Sequence, residues 1–329
     1  YTGGGCPHIL AEPQRTNLFT YSEDFTSGWS TSDATITANS TISPDGTQNA
    51  STLTTTSSGG TVQESLSISD GDIAFSLFVK KGSTDGVRLR IDASTDFNAY
   101  FDLTDGTIHS TTGNAKIETL DNDWYKISVS ASVTSFVKAS IYTTDGTTSY
   151  DNGTVFIWGA QVEVGSYATS YIPNFGTLLG VTRNQDIFTR DGIGSLINST
   201  EGVLFLEAST LENGGINRII SLSDETNNNL IYIRFDATAS RIYGFARGSS
   251  GSYTSLVVNS ITQTNNNKIA LVWDATNFRI WINGVESISA AINSLPVGMN
   301  TLSLTDPTST SNFYGKVKQL QVYDTALTD

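Results

Sequence analysis

Apolar and polar residues alternate along most of this chain with a period of two, and no apolar stripe recurs at helical spacing over a useful length. The pattern is sharpest near the C-terminus. Ile269-Ala-Leu-Val-Trp273 and Phe278-Arg-Ile-Trp281-Ile282 flank a polar turn, and Asn283-Gly284 follows, the dipeptide best able to take the two positive φ angles of a tight hairpin. In the N-terminal half, strands are predicted at 35–38, 62–68, 73–80, 87–92, 98–103, 115–119, 124–132, 136–143 and 154–163, each bounded by Gly, Asp, Asn or Ser. Short strands at such regular spacing are the mark of antiparallel sandwiches. The rhythm breaks beyond Pro173-Asn-Phe-Gly and Val181-Thr-Arg-Asn-Gln-Asp186, then resumes with Glu201-Gly-Val-Leu-Phe-Leu-Glu207. The expected chain is all-β, with two β-sandwich domains in tandem: an N-terminal extension at 1–16, a first sandwich at 17–175, a linker at 176–198 and a second sandwich at 199–329.

Composition agrees with the pattern and narrows the function. A chain of 329 residues is long enough for two domains that each bury a core. Thr, Ser, Asn, Asp and Gly are abundant, which favours strands and turns over helices. The formal charge of −14 repels phosphate backbones and anionic lipid, so nucleic acid is not an expected partner. Membrane insertion is not expected either, because no window of about 18 apolar residues exists. The start Tyr1-Thr-Gly-Gly-Gly lacks a signal peptide's charged and apolar regions and reads as the edge of a processed fragment. Cys6 is the single cysteine, so no internal disulfide can form, and in its glycine-rich surroundings it reads as incidental.

Two sets of phrases carry resemblances. Trp273-Asp274 through Trp281-Ile-Asn283-Gly284, with the closing run Gly315-Lys-Val-Lys-Gln-Leu-Gln-Val-Tyr323-Asp-Thr-Ala-Leu327, resembles the hairpin and last strand of concanavalin A-like, laminin-G-like jelly rolls. Glu12-Pro-Gln-Arg-Thr-Asn-Leu18, Tyr21-Ser-Glu-Asp-Phe25, Gly28-Trp29, Asp123-Trp-Tyr-Lys126, Ile157-Trp-Gly-Ala-Gln-Val-Glu163 and Ser166-Tyr-Ala-Thr-Ser-Tyr-Ile-Pro173 resemble domains found repeatedly in bacteriophage tail and fibre proteins. That second region is more distantly similar to the jelly-roll carbohydrate-binding modules of polysaccharide-degrading enzymes. The resemblances imply two jelly rolls facing glycan, located on a virion appendage or otherwise extracellular, as a homo-oligomer or beside other virion proteins.

Sugar binding makes demands that particular residues can meet. A pyranose offers an apolar C–H face to an aromatic ring and a rim of hydroxyls to amides, carboxylates and Arg. In the first half Trp29 and Tyr100 are the candidates for stacking, beside Tyr142 and Tyr150, whereas Trp124 and Trp158 read as core. In the second half Tyr232 and Arg234 share one face of their strand, and Arg241, Tyr243, Phe245 and Arg247 share a face of the next. Arg234, Tyr243 and Arg247 are therefore candidate ligand contacts, with Trp281 as an added platform flanked by Arg279 and Asn283.

Metal and catalysis are the remaining questions. Calcium takes six to eight oxygens gathered from loops, and the carbohydrate-module resemblance implies a structural calcium at Glu23 and Asp24, closed by Glu163 or Gln161. Zinc and redox metals are not expected, since His8, His109 and Cys6 are the only imidazoles and thiol. Jelly-roll glycosidases mark their two carboxyl groups with an E-x-D-x-x-E or E-x-D-x-E strand. That strand is missing here, Glu207 and Glu212 stand five apart across a turn, and no nucleophile elbow supports serine hydrolysis. The chain is thus expected to bind glycan without altering it. The competing readings are a structural virion protein without a specific ligand and the non-catalytic module of a secreted polysaccharide-degrading enzyme.

Overall fold

The computed structural model describes residues 8–326, and Cys6 and Leu327 lie outside them. Strands fill the chain, and its only helices are two single 3-10 turns, Asp121–Asp123 and Gly194–Leu196, among the described residues. Among the described residues no helix is long and apolar enough to cross a membrane. The chain separates into two compact units, one at Gln14–Asn184 and the other combining 8–13 with 185–326.

The first unit is a sandwich of two six-stranded antiparallel sheets. One runs Thr107–Thr111, Phe97–Asp102, Gly86–Asp92, Lys138–Thr144, Thr61–Ser65, Ser30–Ser32. The other runs Asn114–Thr119, Trp124–Val133, Gly71–Lys81, Gly153–Val164, Ala50–Thr55, Ala34–Thr41. Alternation explains both: Val87, Leu89 and Ile91 from the first sheet and Ile73, Phe75, Leu77 and Val79 from the second are sealed in one core. Each such side chain contributes roughly 1.5–3 kcal/mol by leaving water. Trp124 and Trp158 form a satellite cluster with Ala50, packed by Phe78 and Tyr171.

The second unit repeats the architecture. Ile9–Ala11, Gly315–Tyr323, Gly202–Thr210, Asn267–Trp273, Asn277–Ile282 and Val285–Ala291 make one sheet. Thr189–Arg190, Thr301–Ser303, Arg218–Ser223, Leu230–Phe235, Arg241–Arg247 and Tyr253–Asn259 make the other. Asn283 and Gly284 take φ of 54° and 86°, so the hairpin closes through two left-handed positions. The stretch read as an N-terminal extension contains a strand of each unit: Ile9–Ala11 pairs with Gly315–Tyr323, and Arg15–Asn17 pairs with Val181–Arg183. The stretch read as a linker likewise holds Val181–Arg183 and Thr189–Arg190, the latter on the edge of the second unit's sheet.

Candidate functional site

Outward side chains of three neighbouring strands in the second unit assemble the best-formed polar and aromatic face. Leu230–Phe235 buries Ile231, Ile233 and Phe235, which turns Tyr232 and Arg234 outward. Arg241–Arg247 buries Ile242 and Ala246, leaving Arg241, Tyr243, Phe245 and Arg247 on the same side. Between them Gly244 faces the opposite sheet so closely that a Cβ there would lie 2.5 Å from the Leu271 side chain. Register then sets Tyr232 against Phe245, Arg234 against Tyr243 and Arg247 against Tyr253 of the edge strand.

These rings stack into a ladder. Phe245 lies 4.6 Å from Tyr232 with an interplanar angle of 8°, and 5.3 Å from Tyr253 at 19°. Its two neighbours sit on opposite flanking strands, so both faces of Phe245 are covered. The surface left for a flat ligand is the outer face of Tyr253, which is 57% exposed at the sheet edge. A charged rim runs beside the ladder. The Arg234 guanidinium sits 3.9 Å from the centre of the Tyr243 ring and reaches Asp236 at 2.9 Å. Arg241 donates from Nε to Asn259 Oδ1 at 3.2 Å. Burial pushes the Tyr232 phenol up, opposed by its hydrogen bond and charge contact with Arg234, so it stays a neutral donor.

Arg234, Tyr243 and Arg247 are thus brought together, but Trp281 is not. Asn277–Ile282 buries Phe278, Ile280 and Ile282, so Trp281 and Arg279 point outward from the other sheet of the sandwich. Trp281 stands opposite Ala270 and Glu286. Arg279 reaches Asp274 at 2.7 Å. Against the upward push of burial, the N–H groups of Thr276 and Asn277, the Thr276 hydroxyl and Arg279 hold the Asp274 carboxyl at about 2. Asp274 therefore serves the turn after Trp273 as a fixed anion.

In the first unit Tyr100 lies on an outward face and Trp29 does not. Trp29 is 8% exposed, packs 4.6 Å from Phe19 and 5.0 Å from Phe25, and donates its Nε1–H to Tyr21 O at 2.8 Å. The core of the opening loop consumes it as a stacking platform. Tyr100 instead joins Tyr142 and Tyr150 around Arg88, whose guanidinium is 5.3, 4.9 and 5.6 Å from the three ring centres. Arg88 is 6% exposed; it donates to Asn98 Oδ1 at 3.0 Å and to the Tyr150 hydroxyl, so its donors brace the tyrosines. Tyr100, Tyr142 and Tyr150 were legible as candidates but Arg88 was not, although the alternation Val87-Arg-Leu-Arg-Ile-Asp92 carries its signal. Tyr253 was missed because Tyr253-Thr-Ser lacks an apolar frame on its outward side.

The expected calcium ligands each accept hydrogen bonds from neighbouring groups. Glu23 accepts from Tyr171 Oη at 2.9 Å and from Asn49 Nδ2 at 3.0 Å, and burial raises its pKa. Asp24 caps its own turn, accepting from the Thr26 N–H at 2.9 Å and the Thr26 hydroxyl at 2.5 Å. Glu163 is fully buried, accepting from the Thr169 N–H at 2.8 Å and hydroxyl at 3.0 Å, with Arg15 Nε at 3.8 Å. Among the described residues no three His, Cys, Asp or Glu side chains gather as a metal site. Glu23, Asp24 and Glu163 each close a hydrogen-bonded loop of their own.

No curated protein matches the chain. Solved structures to which it is similar include the CBM40 of the Ruminococcus gnavus IT-sialidase, at 15% identity and TM-score 0.36, covering 43% of this chain and 94% of that one. The NanB sialidase from Streptococcus pneumoniae is similar at 16% identity and TM-score 0.37, over 43% of this chain and 25% of that one. The binding domain of botulinum neurotoxin serotype G is similar at 14% identity and TM-score 0.36, over 47% and 41%. The chain thus spans about a quarter of the length of NanB. Residues 209–329, the stretch that holds the ring ladder and its arginines, match the family model of the concanavalin A-like lectin/glucanases superfamily.

Proposed function

We propose that this protein binds carbohydrate, without altering it, on the outward face formed by Leu230–Phe235, Arg241–Arg247 and Tyr253–Asn259. The observation that carries the reading is the ladder Tyr232–Phe245–Tyr253 ending in an exposed ring and flanked by arginines, which supplies both the apolar platform and the polar donors a pyranose needs. The lectin-type family match over 209–329 supports it. Binding without turnover fits the acidic groups nearby in sequence: Glu207 is held by Lys318 at 3.0 Å and by Asn266, and Glu212 pairs with the buried Arg218. The phrases of residues 12–186 favour a phage tail fibre or similar appendage as the setting. A shallow face buries little of a hydrated ligand and gives weak single-site affinity, which repetition on such an appendage offsets through avidity.

A glycan array probed with the full chain tests this. Selective binding is expected, and Tyr253→Ala should weaken it by about tenfold, roughly 1.4 kcal/mol, while leaving Tm within about 2 °C because an exposed edge residue carries little of the fold. An array silent at about 0.1 mM protein, a concentration that registers interactions of about −5 kcal/mol, favours the structural virion reading instead.

A further inference from the structure

We propose that the glycan recognised by this face carries a carboxylate, and that Arg247 receives it; the inference rests on the reading of the face as a sugar-binding surface. Arg15, Arg90, Arg218 and Arg234 each have an Nε shielded from water without an acceptor, yet each also reaches a carboxylate: Glu163, Asp92, Glu212 and Asp236 respectively. Arg247 shares the shielded, unpartnered Nε, and among the described residues its side chain makes no ion pair, hydrogen bond or ring contact. Arg247 is thus a half-buried arginine of this face whose charge no protein carboxylate compensates, although the chain carries a formal charge of −14 and anions are plentiful. Its planar fork fits a carboxylate through two parallel hydrogen bonds, a geometry a hydroxyl cannot match.

Position points the same way. Arg247 stands directly across from Tyr253, which places their Cβ atoms about 5 Å apart. That is the span of a single sugar ring. A residue stacked on the outer face of Tyr253 can therefore present an acidic substituent to Arg247, while Arg234 and Arg241 are occupied by Asp236 and Asn259. Hydroxyl recognition falls to the rim, and charge recognition to this one arginine.

The test uses the full chain on an array of uronate- and sialate-bearing oligosaccharides printed beside their carboxyl-reduced counterparts. The wild type should bind at least one acidic member tenfold or more tighter than its reduced partner. Arg247→Gln should bind both members of that pair equally, at the level of the neutral one, and Arg247→Lys should retain part of the preference by charge without the fork. Unchanged circular dichroism in both variants keeps the comparison on the folded protein. Equal binding of acidic and reduced members by the wild type, or a preference that survives Arg247→Gln, overturns the carboxylate assignment while leaving sugar binding intact. Silence across every pair overturns the sugar-binding reading and this inference with it.

Discussion

Replacing Trp273 with alanine is expected to lower the unfolding free energy of the second unit by about 4 kcal/mol and its Tm by roughly 10–15 °C. The indole is completely buried, and its Nε1–H donates to Asn198 O at 3.1 Å. It lies directly over Gly202, its cross-strand partner, where a Cβ would fall 2.5 Å from the indole Cζ2 and 2.7 Å from Tyr323 O. The residue facing the lost ring therefore has no side chain with which to fill the void, and the cavity persists. The carbonyl of Asn198 also loses its donor, which adds to the penalty. Trp273→Phe, which keeps an aromatic ring but not the N–H, should recover about half the loss. Calorimetry on the full chain decides the matter: a Trp273→Ala transition displaced by less than about 3 °C would mean that the site collapses or that the indole contributes little.

The same residue shows how much of the fold could be read in advance. Ile269, Leu271 and Trp273 alternate with Lys268, Ala270 and Val272, and Asn283-Gly284 fixes the next turn, so local pairing follows from spacing alone. All-β architecture and the sandwich halves were legible on that basis. Long-range pairing was not. Ile9 lies against Val317, and no periodicity within either strand says which distant strand covers it. For the site, alternation correctly grouped Arg234, Tyr243 and Arg247, because they occupy strands adjacent in both sequence and space. Trp281 obeys the same alternation, yet its strand belongs to the opposite sheet, a distinction that a period of two cannot make. Trp29 follows Gly28, whose φ of 78° turns the chain back at the point where the indole enters the core, and a turn's direction is not written in hydropathy. For the acidic residues, sequence shows the carboxylates but not their partners: Tyr171, Thr26 and Thr169 donate to Glu23, Asp24 and Glu163, and only the fold brings distant donors such as Tyr171 to them.

Glu64→Gln should stabilise the protein at pH 8 and leave it nearly unchanged at pH 4. Strand Thr61–Ser65 turns Glu64 inward with Val62, and the side chain is almost wholly buried; among the described residues Oε1 accepts only a long bond of 3.3 Å from the Thr20 N–H, and Oε2 has no partner. Burial pushes the carboxyl up from an ordinary 4.5 to about 7, with the Thr20 N–H pulling weakly the other way. Below pH 4.5 the folded and unfolded chains both hold the proton, so the residue imposes no ionisation penalty. As pH rises from 4.5 to 7 the unfolded chain gives up its proton first, and stability falls. Above 7 the folded protein carries a buried carboxylate at a cost of about 2–3 kcal/mol. A neutral amide of the same shape removes that cost and keeps the acceptor for Thr20. Denaturant unfolding of both proteins across pH 4–8 should therefore give curves that coincide at the acid end and part by about 2 kcal/mol at the alkaline end, with the gap opening between pH 5 and 7. Parallel curves would show instead that Glu64 finds solvent or a counter-charge in the folded protein. Because Glu64 contacts the backbone of the opening loop at Thr20, next to the Tyr21 carbonyl that accepts from the buried Trp29 indole, the same titration would be expected to loosen that loop first, and the Trp29 environment should report it as the pH is raised.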